Sequence, residues 1–416
     1  MHPTTETWLK TLQVRARELQ EITLGKFTFD VTRYEPLSRH HSPQDIARVL
    51  AGDPFQFINT RLGCLNCHQA LQLDTYAKGC THDCSFCFAR EAAGEAWNRP
   101  YPLPIDITAL WRTFHEVFET DRPHPMRGIL SRRVPIRLGC KSDPLMHLDR
   151  KFGITLETLK LFNHYEYPFS IVTHSDLAAE DEYLRWIPPR LATVHVSIVS
   201  LDERKSRLLE PGAPSPGARL RAIRKLRDAG VWTVGRISPL FPCHADGHFS
   251  RRGGGNDSEP ALDFFSFDLI DALADAGANG VLAGFLTASA DTARALGAKL
   301  GADLTTLLTD RGAGAAFRYS PEEIREYHLR IREHCHRRGM EFTPCYLGGS
   351  ESSYSANRDL WDNPDDCCNM KNRVAAHRLD SRGIAQPRAA TGADRPLERL
   401  TGRIFTFLLR HLQVRQ

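Results

Sequence analysis

The chain has 416 residues, a net charge of +4, 41% hydrophobic and 25% charged side chains. That is enough apolar material for one large domain with appendages or for two domains, and it excludes a disordered, collagen-like or small disulfide-stapled chain. No run of about 18 apolar residues suggests a membrane span, and the start "MHPTTETWLKTLQ" lacks signal-peptide features, so a soluble cytoplasmic protein is expected.

Residues 1–63 carry helical patterns and read as an N-terminal extension. A first strand is expected over "LQLDTYA" (71–77) and a helix over "ITALWRTFHEVFE" (107–119). Strand then follows helix in alternation: "VPIRLG" (134–139), "TLETLKLFNHY" (155–165), "FSIVTH" (169–174), "DEYLRWI" (181–187) and "TVHVSIVS" (193–200). The series closes with a helix in "SPGARLRAIRKLRDAG" (215–230), capped by Ser215 and ended by Gly230, and strands "VWTVGRIS" (231–238) and "NGVLAGF" (279–285). Repeated strand–helix units mean parallel strands with crossover helices, and about six of them make an α/β fold, a partial (βα)6 barrel over residues 64–312. Chemistry then belongs at the C-terminal ends of the strands. "HADGHFSRRGGGNDSEP" (244–260) reads as a mobile rim loop. Residues 313–416 form a C-terminal extension with a helix over 321–337, a strand in "MEFTPCYL" and a last amphipathic helix.

Eleven cysteines are present. In a large cytosolic protein, clustered thiols point to metal or redox chemistry rather than disulfides. Three of them, Cys80, Cys84 and Cys87, fall within "AKGCTHDCSFCFAR", directly after the first strand, with C-x3-C-x2-C spacing. A structural zinc site is normally closed by four ligands. A cubane [4Fe-4S] cluster on three cysteines keeps one iron free of protein, open to a substrate or cofactor.

This motif after the first strand of a partial barrel resembles the radical S-adenosylmethionine (SAM) superfamily, and within it the spore photoproduct lyase group. "GCKSDP", "IVTHSD" and Leu208 to Pro242 resemble segments of that group, so the likeness covers Asp74 to Pro242. It implies that the open iron binds SAM and that one electron cleaves it to a 5′-deoxyadenosyl radical. Phe86, before the third cysteine, fits the motif. Cys140 falls where the lyase has the thiol that returns a hydrogen atom to the product radical. Ser142, Asp143 and Ser197 match positions near SAM, and Arg236 on the fifth strand is a further candidate. His174 replaces the lysine of the related V-T-K segment. Glu210, Pro211 and Gly212 read as turn residues before a helix.

Cys64 and Cys67 form a second C-x2-C, and Cys345 with Cys367 or Cys368 would complete an auxiliary iron–sulfur or zinc site. Cys243 lies near the rim. Two substrate readings stay open. The first is a nucleoside- or sugar-type small molecule in a biosynthetic reaction, epimerisation or sulfur insertion. The second is DNA carrying a pyrimidine photodimer, although the charge is only mildly basic. A third reading is a sensing or electron-transfer iron–sulfur protein without SAM chemistry. A flavodoxin- or ferredoxin-type electron donor is expected as partner.

Overall fold

The architecture follows from seven short strands that alternate with amphipathic helices. The computed structural model describes residues 58–59, 71–77, 79–93, 102–105, 107–131, 133, 135–240, 265–301, 304–308, 310–311, 317–345, 357–363 and 373. Strands β1 (Leu71–Leu73), β2 (Ile136–Leu138), β3 (Phe169–Thr173), β4 (Ala192–Ser197), β5 (Trp232–Leu240), β6 (Gly280–Phe285) and β7 (Glu341–Pro344) lie in that spatial order. All their pairings are parallel, and a two-residue strand, Ile58–Asn59, adds to β1 antiparallel. The expected α/β partial barrel is therefore present, and the strand of the C-terminal extension continues it as β7. Among the described residues, no helix is long and apolar enough to cross a membrane.

The helices longer than four residues, among the described residues, are α1 (Phe88–Ala93), α2 (Ile107–Phe118), α3 (Ile154–His164), α4 (Glu203–Leu209), α5 (Pro216–Asp228), α6 (Asp268–Ala276), α7 (Ala290–Leu300) and α8 (Pro321–Arg337). Their boundaries are chemical. Ser215 accepts the amide of Ala218 to start α5, which then buries Ala222, Ile223 and Leu226 on one stripe. Ser320 and Glu323 form a reciprocal capping box at α8, on which Cys335 is a buried apolar filler as expected. The core between α2, α3 and β3 is aromatic: the Phe114 ring meets Tyr167 at 5.2 Å, and Phe162 meets Phe169 at 5.2 Å.

Alternation in the strands separates two faces. Ile237, Val281 and Phe342 pack into the large core with the helices. Val234 and Leu282 belong instead to a small cluster with Trp361, on the inner face. Gln72, Arg137, Ser170 and Thr193 are in register with one another, so this inner face is polar over β1–β4.

Gly139, immediately after β2, is where the chain turns toward the rim. Its φ is +83°, and a Cβ there would lie 2.2 Å from the Val172 carbonyl oxygen on β3. Gly139→Ala is expected to cost at least about 2 kcal/mol, from left-handed backbone strain and a backbone clash that cannot relax. Urea denaturation of the variant measures it; an unchanged midpoint would contradict this account of the turn.

Candidate active site

The three-cysteine loop leaves the sheet after β1 and is tied down from several directions. The turn at Asp83 adopts a left-handed φ of 51°. Cys87 N–H donates to the Cys84 carbonyl at 3.2 Å, and Glu91 N–H to the Cys87 carbonyl at 3.2 Å, which starts α1. Across the chain, Ser85 N–H donates to the Leu209 carbonyl at 2.7 Å and Gly212 N–H to the His82 carbonyl at 3.0 Å. Gly212 must be glycine: a Cβ there would sit 1.9 Å from the Thr81 carbonyl oxygen.

Cys80, Cys84 and Cys87 are each partly buried. Burial, with the Asp143 charge adding to it, pushes the Cys80 thiol up to about 12. Burial also raises Cys84 well above the usual thiol range. Such thiols ionise only beside a cation, and three on one loop fit a [4Fe-4S] cluster as thiolate ligands. The Cys84 sulfur, a His174 ring nitrogen and a Glu210 carboxylate oxygen lie within 4.8 Å of one another.

Behind this loop runs a buried polar network. Asp143 Oδ1 accepts from Leu145 N–H at 2.8 Å and the Thr173 hydroxyl at 2.7 Å. Its Oδ2 accepts from His174 N–H at 2.5 Å and pairs with His82 Nε2 at 3.1 Å. Burial works against the Asp143 charge, but His82 outweighs it, with His174 adding, and holds the acid down to about 2. The same pairing holds His82 above its usual value despite the burial that opposes it. His174 Nδ1 in turn is hydrogen-bonded to Glu210. Glu210 forms a bidentate pair with Arg219, at 2.9 and 3.2 Å, both side chains fully buried. Arg219 also donates to the Ser197 and Pro214 carbonyls. Burial opposes the Glu210 charge, yet Arg219 and His174 together hold it at about 2.

The thiol of Cys140 is placed by the first two strands. Asp74 Oδ1 accepts three successive backbone amides, Cys140 at 2.8 Å, Lys141 at 2.9 Å and Ser142 at 3.2 Å. The thiol itself donates to Gln72 Oε1. Burial raises it to about 11, with the Arg137 guanidinium pulling the other way, so Cys140 is a protonated thiol at neutral pH. The Ser142 hydroxyl donates to the Tyr76 carbonyl.

Six of the residues singled out in the sequence thus share one framework with the cysteine loop: Phe86, whose ring lies 6.3 Å from His174, together with Cys140, Ser142, Asp143, His174 and, through Arg219, Ser197. Arg236 is the register partner of Ser197 on β5, but its guanidinium is directed away, 3.6 Å from Cys345 Sγ at the end of β7. Cys64, Cys67, Cys243, Cys367 and Cys368, the 244–260 loop, most of residues 1–63 and the last helix fall outside the described residues.

Four residues of the framework were missed: Asp74, His82, Glu210 and Arg219. Asp74 directly follows a strand, where an acid at a barrel rim is a signal. Arg219 occupies the apolar stripe of α5 with Ala222, Ile223 and Leu226, and a buried arginine demands a carboxylate.

No family model matches the chain. Uncharacterized proteins of Mycobacterium tuberculosis and Mycobacterium bovis are 26% identical over 216 residues, 49% of this chain and 55% of theirs. An uncharacterized protein of Acidianus two-tailed virus is 26% identical over 175 residues, 40% of this chain and 55% of its own. The chain thus spans about half the length of the curated relatives it matches. A solved variant of spore photoproduct lyase, with bound AdoMet and dinucleoside spore photoproduct, superposes with a TM-score of 0.51 at 14% identity, covering 79% of this chain and 96% of that one. This chain shares the fold of that solved spore photoproduct lyase. The fold implied by the sequence motifs is therefore the observed one.

The buried carboxylates give a pH prediction. Asp143 and Glu210 ionise lower in the folded chain, at about 2, than their usual 3.8 and 4.5. A depressed folded value contributes stability above the unfolded value and loses it as pH falls toward the folded one. The urea midpoint of the metal-free protein is expected to drop steeply between pH about 4.5 and 2. Asp143→Asn is expected to flatten that drop; an identical profile in the variant would contradict the assignment.

Proposed function

We propose that this protein is a radical SAM enzyme that abstracts a hydrogen atom from a nucleoside- or sugar-type substrate in a biosynthetic reaction. The observation that carries it is the shared framework of two kinds of sulfur. Asp143 ties the cysteine loop to the ends of β2 and β3, and Asp74 holds the protonated Cys140 on the residue stretch just before Asp143.

Cys80, Cys84 and Cys87 would hold the [4Fe-4S] cluster. When bound, cluster and SAM supply a 5′-deoxyadenosyl radical from one electron, delivered by a flavodoxin- or ferredoxin-type donor. His174, oriented by Glu210, stands beside Cys84 and would contact SAM in place of a lysine. Ser142, Asp143 and Ser197 shape the same wall, and Phe86 closes it. Cys140 would give its hydrogen atom to the substrate radical: the S–H bond breaks and a C–H bond forms, which in an epimerisation fixes the new configuration, and the thiyl radical left on Cys140 returns to the thiol by taking one electron from the same donor and one proton from solvent. Burial and the Gln72 contact keep the thiol protonated for that step. A second cluster or zinc on Cys64, Cys67, Cys345 and Cys367 or Cys368 would suit sulfur insertion. Such thiol-rich chemistry suits a reducing, cytoplasmic setting.

A second reading is repair of a pyrimidine photodimer in DNA. It is favoured by the dinucleoside photoproduct bound in the solved lyase of the same fold.

Anaerobically reconstituted wild type is expected to hold ~4 irons, or ~8 with the auxiliary site, and the Cys80→Ala/Cys84→Ala/Cys87→Ala variant ~4 fewer. Chemically reduced wild type should release 5′-deoxyadenosine from SAM, and the triple variant none. Equal iron and equal cleavage in both would sink the reading. Turnover of photoproduct-containing DNA, with none of nucleotides or nucleotide sugars, would select the repair reading.

A further inference from the structure

The inner face of β4–β7 carries a second polar feature, away from the cysteine loop. Ser197, Arg236, Leu282 and Thr343 are register partners in one row across the four strands. Residues in register on parallel strands point to the same side. That side is the inner one, because Leu282 packs with Val234 and Trp361, whereas Gly235 faces Leu273 of α6 on the outside.

Arg236 is half-buried and reaches across β6 to Cys345 at the end of β7. Among the described residues no carboxylate pairs with it. Glu341, the acid on the same face, is two residues below Thr343 and is paired with Arg373. Thr343 is 1% exposed and Ser197 fully buried, and neither hydroxyl has a hydrogen-bond partner. An unpaired buried hydroxyl costs about 1–3 kcal/mol. The Arg236 guanidinium, which reaches toward β7, and the unpartnered Thr343 hydroxyl on that strand are jointly satisfied by an oxyanion with several acceptor oxygens. A guanidinium fork takes two of them, and hydroxyls donate to the others.

We propose that Arg236 and Thr343 form the phosphate subsite of the substrate. This rests on the function proposed above and narrows the substrate to a phosphate ester, such as a nucleotide or sugar phosphate. Arg236 is thereby a substrate-binding rather than a SAM-binding residue. The cysteine loop, His174 and Glu210 gather over β1–β4, whereas Arg236, Thr343 and Cys345 belong to β5–β7.

The test uses the full chain and radiolabelled inorganic phosphate in equilibrium dialysis. Wild type is expected to bind one phosphate saturably, with affinity falling about tenfold or more in Arg236→Gln and less in Thr343→Val, and largely regained in Arg236→Lys. Phosphate should stay bound in the presence of saturating SAM. No saturable binding by wild type, unchanged affinity in both variants, or one-for-one displacement by SAM would overturn the proposal; the last would assign the row to the carboxylate of SAM. If Arg236→Gln does not fold, as judged by circular dichroism, Thr343→Val decides. Phosphate binding needs no electron, so the two readings fail separately: wild type that cleaves SAM but ignores phosphate refutes only the subsite.

Discussion

Everything at the mouth of this barrel depends on one buried carboxylate. Asp143 accepts from the backbone of β2's rim turn, from the end of β3 and from the residue after it, and it pairs with His82 in the middle of the cysteine loop. A charge in that position is costly unless every lone pair is used. Here the cost is offset by four partners, and the geometry they impose fixes the three-thiol loop relative to the strand ends. The second buried pair, Glu210 with Arg219, extends the same logic to β4 and orients His174. In the proposed function such over-determination would place a cofactor against a thiol, a histidine and a sulfur cluster at once, where catalysis is sensitive to small misplacements.

The sheet supplies a division of labour. Its outer face is apolar and stabilises the fold through the helices. Its inner face carries Gln72, Arg137 and Ser170 on one side and Arg236, Thr343 and Cys345 on the other. A barrel lined by packed aliphatic side chains would be a core and nothing more. Here the inner wall is polar, with a protonated thiol over β2 and a cation over β5.

Much of this was legible in the sequence because strand–helix alternation and the C-x3-C-x2-C spacing are local signals. Ser215 as a cap was readable from capping chemistry, and the order of the first six strands follows from consecutive parallel units. What was not legible is pairing at long range. Glu210 looks like a turn residue beside Pro211 and Gly212; only folding brings it to Arg219 and His174. Asp74 looks like the polar end of a strand; its value lies in three amides 66 to 68 residues away. Strand "MEFTPCYL" looked like part of an appendage because its partner, β6, is separated from it by α7 and α8. Local chemistry is written in neighbours, whereas electrostatic hubs are written in topology.

The central claim is that Cys80, Cys84 and Cys87 present an iron with an open position to SAM. Electron paramagnetic resonance of the dithionite-reduced, reconstituted protein tests it without any knowledge of the substrate. The account predicts a cubane signal whose line shape changes when SAM is added, and its loss in the triple cysteine variant. A reduced-cluster signal indifferent to SAM, or a loop that takes up zinc and no iron, would contradict it.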